Sequence, residues 1–198
     1  MNKILKLALV LFLICAIVAG ILGVVDLVTR DRIKEYQTNK TNRARAAVLE
    51  VKVPEGEEMY IDIPQQELKD KNLSTTVTAN GQDVEILSVA QAADGSGYVV
   101  ETKFSGAQGS IVMIVGVSNE LTCTGISITQ HSETPGLGAV AAGDTQKGRD
   151  FRASFEGVDG SVQLKDIDAM SGATITSKGV TAATAAAIQF VEAMLAAK

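Results

Sequence analysis

An unbroken apolar stretch from Leu7 to Val25 constrains this chain more than any other feature. At ~1.5 Å of helical rise per residue it comes close to the ~30 Å hydrocarbon core of a bilayer. Lys3 and Lys6 precede it, and Asp26, Arg30 and Arg32 follow, so it reads as a spanning helix. A cleaved signal peptide is the competing reading. The short basic start favours it; the length of the run and the lack of a clean A-x-A site oppose it. A lipoprotein site at Cys15 is opposed by Ile14, which stands where a small residue is expected. Ala16/Gly20 and Ala19/Gly23 form small-xxx-small pairs, which suit close approach of another helix and equally fit ordinary variation in an anchor. Lys and Arg lie on both sides, so charge leaves the orientation open.

The 198 residues allow one anchor and one globular domain of ordinary size. The spacing of features predicts an anchor over 1–29, a helical stalk over 30–53 and a domain over 54–198. In the stalk Ile33, Tyr36, Ala44, Ala47, Val48 and Val51 recur, and Pro54 ends it, because the residue before a proline disfavours helix. A formal charge of −5 without a block of like charges excludes nucleic acid as a partner. Aromatic content is 4% with no Trp, so a bound ring system must pack mostly against aliphatic groups.

Two cysteines and one histidine limit the chemistry further. Cys15 lies in the apolar run and Cys123 in a predicted strand, in different phases, so no disulfide joins them. Neither an iron–sulfur set nor a zinc set can be assembled, and no metal site is expected. A Cys123–His131 catalytic pair has nothing that places the two together, and no catalytic set is expected.

After the stalk, Glu55 to Lys71 reads as a charged loop with a short extended piece at Tyr60–Ile63. Strands are predicted over Val84–Ala90, Tyr98–Phe104, Ser110–Val117 and Leu121–Thr129, separated by turn signals at Asp94–Gly97, Gly106–Gly109 and Ser118-Asn119. Ile111–Val115 is apolar on both faces and belongs centrally in the sheet. Gly125 marks a bulge or a close backbone approach. A helix over Thr176–Lys198 turns Val180, Ile188, Val191, Met194 and Leu195 toward the sheet. The class is α+β, with an antiparallel sheet and packing helices.

Two segments can carry chemistry. Asp168-Ala169-Met170-Ser171-Gly172-Ala173-Thr174-Ile175-Thr176-Ser177 offers hydroxyls and flexible backbone at a helix start, where unpaired N–H groups and the helix dipole favour a phosphate. An ordinary N-cap by Ser171, Thr174, Thr176 or Ser177 is the bland alternative. The other segment, His131-Ser132-Glu133-Thr134-Pro135-Gly136-Leu137-Gly138, follows the fourth strand, with Pro135-Gly136 expected at the centre of a type II turn. Gly136–Ala141 also matches G-x-G-x-x-A. A dinucleotide fold needs that motif at a tight strand-to-helix turn, which the intervening residues and Gly143 deny it.

With the anchor, these two motifs in this order resemble the G subunit of the Rnf ion-translocating electron-transport complexes, over essentially the whole chain. The C subunit of the sodium-pumping NADH:quinone reductase is similar, and the short length leans toward Rnf. The resemblance implies a single-pass protein of the cell membrane with an extracytoplasmic FMN-binding domain. It implies a covalent phosphoester from FMN to Thr174, made by a flavin transferase that recognises Asp168, Ser171, Gly172 and Ala173. A threonine hydroxyl is a poor nucleophile without a base or metal, which suits an external enzyme. Glu133, Thr134, Gly136, Leu137 and Gly138 would border the flavin, with Met170 or Ile175 as further apolar faces. Phe151 and Phe155 stand where the family places aromatics between the motifs, and His131 stands behind the site or at the surface.

The implied function is electron transfer within a membrane complex, with other membrane subunits as donor and acceptor and no substrate turnover by this chain alone. A cofactor-free anchored binding module and a free-standing flavin reductase are the alternatives.

Overall fold

The computed structural model describes residues 3–52 and 58–197, and side chains over 6–30, 40–52 and 58–197. Pro54 and Glu55, and the side chains of Ile33 and Tyr36, lie outside the described residues. The chain divides into two compact units, Met1–Thr41 and Asn42–Lys198.

Helix α1 spans Lys3–Val48. In the first unit its Lys6–Arg30 stretch has a mean hydropathy of 3.1 and none of its residues is buried, an apolar exposed helix in line with the Leu7–Val25 run. At the polar end of this stretch Arg30 pairs with Asp26 one turn back, and the Thr29 hydroxyl donates to the Val25 carbonyl.

The second unit is built on strands β1 (Tyr60–Asp62), β2 (Thr76–Ala79), β3 (Gln82–Ala92), β4 (Gly97–Ser105), β5 (Ser110–Ser118) and β6 (Cys123–Gln130). All pair antiparallel in the order β1-β3-β4-β5-β6, and β2 lies beside the first part of β3 on the edge that β1 continues. Each of the four strands expected from apolar runs is present, with ends shifted by at most two residues. The doubly apolar segment of β5 is interior and buried on both faces. Two short helices, α2 (Gln65–Asp70) and α3 (Gln146–Ala153), complete the inventory before α4 (Thr174–Ala196). The segment expected as loop therefore holds α2. Pro64 sets extended backbone just ahead of it, and Leu68, 1% exposed, docks it on the core.

Strand side chains alternate between faces, so the sheet feeds two cores. Ile111, Met113, Val115 and Val117 of β5 and Val100 and Phe104 of β4 face α4, where Val180, Ala183, Ala187, Ile188, Val191 and Met194 meet them. The apolar α4 buries 15 of its 23 residues and is the core helix of this unit. Its buried Thr181 and Thr184 hydroxyls bond back to the Ser177 and Val180 carbonyls, so neither is left unsatisfied. Val99 and Ile114 point the other way, onto Ala44, Val48 and Leu49 at the end of α1. A register shift between Ile86 and Ser88 lets β3 send Val84, Ile86 and Val89 to the α4 side and Ala90 and Ala92 to the other.

At Gly125 both sequence expectations are met. The β5–β6 register slips next to it, leaving Thr124 as the extra residue, and Gly125 pairs directly with Gly116. A Cβ on Gly116 would lie 2.5 Å from the Val48 carbonyl oxygen, and one on Gly125 would lie 3.3 Å from the Val48 Cα. The paired glycines form a notch that admits the last turn of α1, and the Thr124 hydroxyl donates to the Val48 carbonyl. Nearby, Arg45 is 8% exposed, bonds Asp62 at 2.7 Å and lies over the Tyr60 ring.

Candidate functional site

The site is assembled where the loop after β6 meets the start of α4. Thr134–Leu137 forms the expected type II turn: the Leu137 N–H donates to the Thr134 carbonyl at 3.2 Å, and Gly136 has φ +79°. A single 3-10 turn over Gly138–Ala141 follows, so the G-x-G-x-x-A segment has no strand-to-helix geometry. Arg152 fixes the far side of this turn by donating to the Ala141 and Gly143 carbonyls at 2.6 and 3.0 Å. Burial lowers the pKa of that guanidinium, which has no carboxylate partner among the described ion pairs.

Opposite the loop, Gly172 turns the chain with φ +81° and Ala173 opens α4. The helix begins at Thr174, two residues ahead of the expected Thr176. No side chain caps it, so the ordinary N-cap alternative does not hold. The Thr176 hydroxyl is committed to Glu133, and the Ser177 hydroxyl accepts the Met170 N–H at 3.1 Å. The first intrahelical bond runs from the Ser177 N–H to the Ala173 carbonyl at 2.9 Å, while the Ala173 N–H is taken by Met170. The amides of Thr174, Ile175 and Thr176 precede that first bond and remain as the helix's donor end. Thr174 is exposed, and its hydroxyl has no hydrogen-bond partner among the described residues.

The two segments touch. A Cβ on Gly172 would lie 3.3 Å from the Leu137 side chain. Leu137 and Ile175, 49% and 57% exposed, flank Thr174 with apolar surface that the fold leaves open. Ser171, Gly172 and Asp168 are exposed and Ala173 is buried. Asp168 and Met170, with Lys147 and Phe151, line a cavity of about 430 Å³ beside the Ser171–Thr174 segment.

Glu133 lies beneath this surface, 6% exposed. One carboxylate oxygen accepts the Thr176 hydroxyl and the other accepts the Gln108 N–H at 3.1 Å. Gly138 is buried against this pair, and Thr134 supplies the carbonyl that accepts the Leu137 and Ala139 N–H groups. Met170 is 4% exposed and belongs to the core. Phe151 and Phe155 are core residues too, packed edge to face with centroids 5.3 Å apart. His131 is exposed, and its Nδ1 accepts the Glu133 N–H at 3.3 Å. Cys123 stands at the opposite end of β6 from His131, ~25 Å away at the usual rise per strand residue, so the two form no catalytic pair. Burial pushes the Cys123 thiol up to about 12. No group of three or more His, Cys, Asp or Glu that could hold a metal occurs among the described residues.

An open Thr174 hydroxyl, three α4 amides that precede the first intrahelical bond, and the exposed apolar surface of Leu137 and Ile175 make a set whose chemistry fits a phosphate group carrying a ring system. Residues 106–189, which include both segments, match the family described as FMN-binding domain, and residues 1–48 match the RnfG N-terminal region. The G subunit of the Na(+)-translocating ferredoxin:NAD(+) oxidoreductase complex of Acetobacterium woodii is 30% identical over 93% of this chain and 89% of its own length. The G subunit of the ion-translocating oxidoreductase complex of Methanosarcina acetivorans is 28% identical over 97% of this chain and 96% of its own. The proton-translocating counterpart of Clostridium ljungdahlii is 40% identical over 46% of this chain and 51% of its own. The likeness thus covers almost the whole length, apolar helix and FMN-binding domain together, and the chain belongs to the family of G subunits of ion-translocating oxidoreductase complexes.

Proposed function

We propose that this protein carries FMN in phosphoester linkage on Thr174 and transfers electrons within an ion-translocating ferredoxin:NAD oxidoreductase complex. The observation that carries the reading is the state of Thr174: an exposed, unengaged hydroxyl at an uncapped helix N-terminus, beside the Thr134–Leu137 turn. A phosphodiester there keeps one negative charge, which the Thr174, Ile175 and Thr176 amides and the α4 dipole would stabilise. Leu137 and Ile175 would pack against the ring system, and Gly172 leaves room beside Leu137. The redox chemistry belongs to FMN; the chain positions it and sets its surroundings.

No described side chain hydrogen-bonds the Thr174 hydroxyl, so none is in place to activate it. A separate flavin transferase therefore makes the ester, reading the exposed Asp168, Ser171 and Gly172. The α1 apolar segment fits membrane anchoring, and the resemblance to Rnf proteins supports an extracytoplasmic position for the domain.

The test is expression with a flavin transferase, denaturing electrophoresis and ultraviolet illumination of the gel. A fluorescent band is expected, absent from T174A. A dark wild-type band from exported protein would leave only an anchored module without covalent flavin, and an equally bright T174A band would move the attachment elsewhere.

A further inference from the structure

Glu133 and Arg45 are the buried charged residues of the described chain, and Glu133 belongs to the site itself. A carboxylate withdrawn from water is costly unless donors replace its hydration. Here two segments remote in sequence supply them: Gln108, in the turn between β4 and β5, and Thr176, in the first turn of α4. Two glycines make the socket. A Cβ on Gly106 would lie 2.5 Å from one Glu133 oxygen, and a Cβ on Gly138 would lie 2.2 Å from the other. Three parts of the fold are therefore shaped around one carboxylate.

We propose that Glu133 is the positioning residue of the flavin acceptor: it locks the loop to α4 and assigns the hydroxyls of the first helical turn. This inference rests on the reading of Thr174 as the acceptor. By accepting the Thr176 hydroxyl, Glu133 turns it inward while the Thr176 amide stays at the helix's donor end. Ser177 is likewise occupied, by the Met170 N–H, so Thr174 is left as the open hydroxyl of the turn. The same lock holds the Thr134–Leu137 turn beside Gly172. Glu133 also places a fixed negative charge under the acceptor, which opposes electron gain by a neighbouring flavin.

The experiment uses full-length protein co-expressed with a flavin transferase and purified in detergent, with E133Q, E133A, T176V and T176S. Peptide mass spectrometry reads the site and fraction of flavin attachment, and spectroelectrochemistry reads the midpoint potential. E133A and T176V are expected to lose flavin on Thr174 severalfold, or to spread it to Thr176 in E133A. T176S, which restores the hydroxyl, is expected to recover attachment. E133Q keeps an oxygen for Thr176 but removes the charge; its flavin is expected on Thr174 with a more positive potential. If E133A fails to fold, T176V and E133Q carry the test. Full modification of Thr174 in T176V together with an unmoved potential in E133Q overturns the proposal. Absence of flavin from Thr174 in the wild type removes the underlying reading instead, so the two failures are distinct.

Discussion

Gly138→Ala isolates the Glu133 socket with a single methyl group. The new Cβ would lie 2.2 Å from one Glu133 carboxylate oxygen, 2.6 Å from the Thr176 hydroxyl and 3.0 Å from the Glu133 Cβ. Gly138 does not have positive φ, so alanine pays no backbone penalty and the effect is steric. Ordinary contact needs a retreat of roughly 1 Å by the carboxylate, which breaks its bond to Thr176. Overpacking a core costs ~1–3 kcal/mol, and losing a hydrogen bond to a charged group costs ~1.5–3 kcal/mol. The retreat exchanges one cost for the other, so they do not sum, and the expected loss is about 2–3 kcal/mol. For a domain of this size that lowers Tm by roughly 4–12 °C. The assay is thermal unfolding of the full-length protein in detergent, followed by circular dichroism, for wild type, G138A, E133A and E133A/G138A. Removing the Glu133 carboxylate relieves the tightest contact and frees the Thr176 hydroxyl to rotate away, so G138A should cost clearly less in the E133A background than in the wild type. A G138A melt within about 0.5 kcal/mol of wild type, or strict additivity in the double variant, would refute the socket.

Three further outcomes follow from other parts of the fold. A chain beginning at Asn42 should melt like the full domain, whereas one beginning at Glu50 loses buried Val48 and Leu49 and about 3–6 kcal/mol; parallel melts of the two fragments check this. Cys123, with its thiol held near 12 by burial, should resist maleimide at pH 8 in folded C15S protein and react after denaturation, as counted by intact mass. The pKa of Asp94 is lowered by the Lys52 N–H and by the hydroxyl and N–H of Ser96. A depressed folded pKa contributes stability above the unfolded value of ~3.9 that is lost as pH falls through the folded value. D94N should therefore melt below wild type at pH 6, with the gap closing under acid; a gap that stays constant down to pH 2 would exclude this linkage.

The sheet was readable because β3 to β6 are each rich in apolar residues, β5 on both faces, and are bounded by glycine or Asn/Asp/Ser turns. What escaped had weak apolar content. Strand β2 is Thr-Val-Thr-Ala, and its signal was the Asn80-Gly81 pair, whose positive φ values of 50° and 74° make the tight turn into β3. Helices α2 and α3 are mostly polar and are held by single buried anchors, Leu68 and Phe151, which no periodicity announces. In the site, the Pro135-Gly136 turn was legible because its dihedral demand is local. The start of α4 was not, since Thr176 and Ser177 look like caps and only tertiary partners reveal that both hydroxyls are occupied. The burial of Glu133 was equally hidden, because the glycines that make room for it lie 27 residues before it and 5 after it, at Gly106 and Gly138.

The Gly116–Gly125 notch gives strand β6 two occupations at once. Its first half receives the end of α1, through Thr124 and the Val48 backbone; its far end runs directly into His131 and the turn beside Thr174. A load arriving at Val48 is therefore shared between β5 and the strand from which the Thr134–Leu137 turn hangs. β6 acts as a strut, and filling the notch with a side chain would be felt at both of its ends.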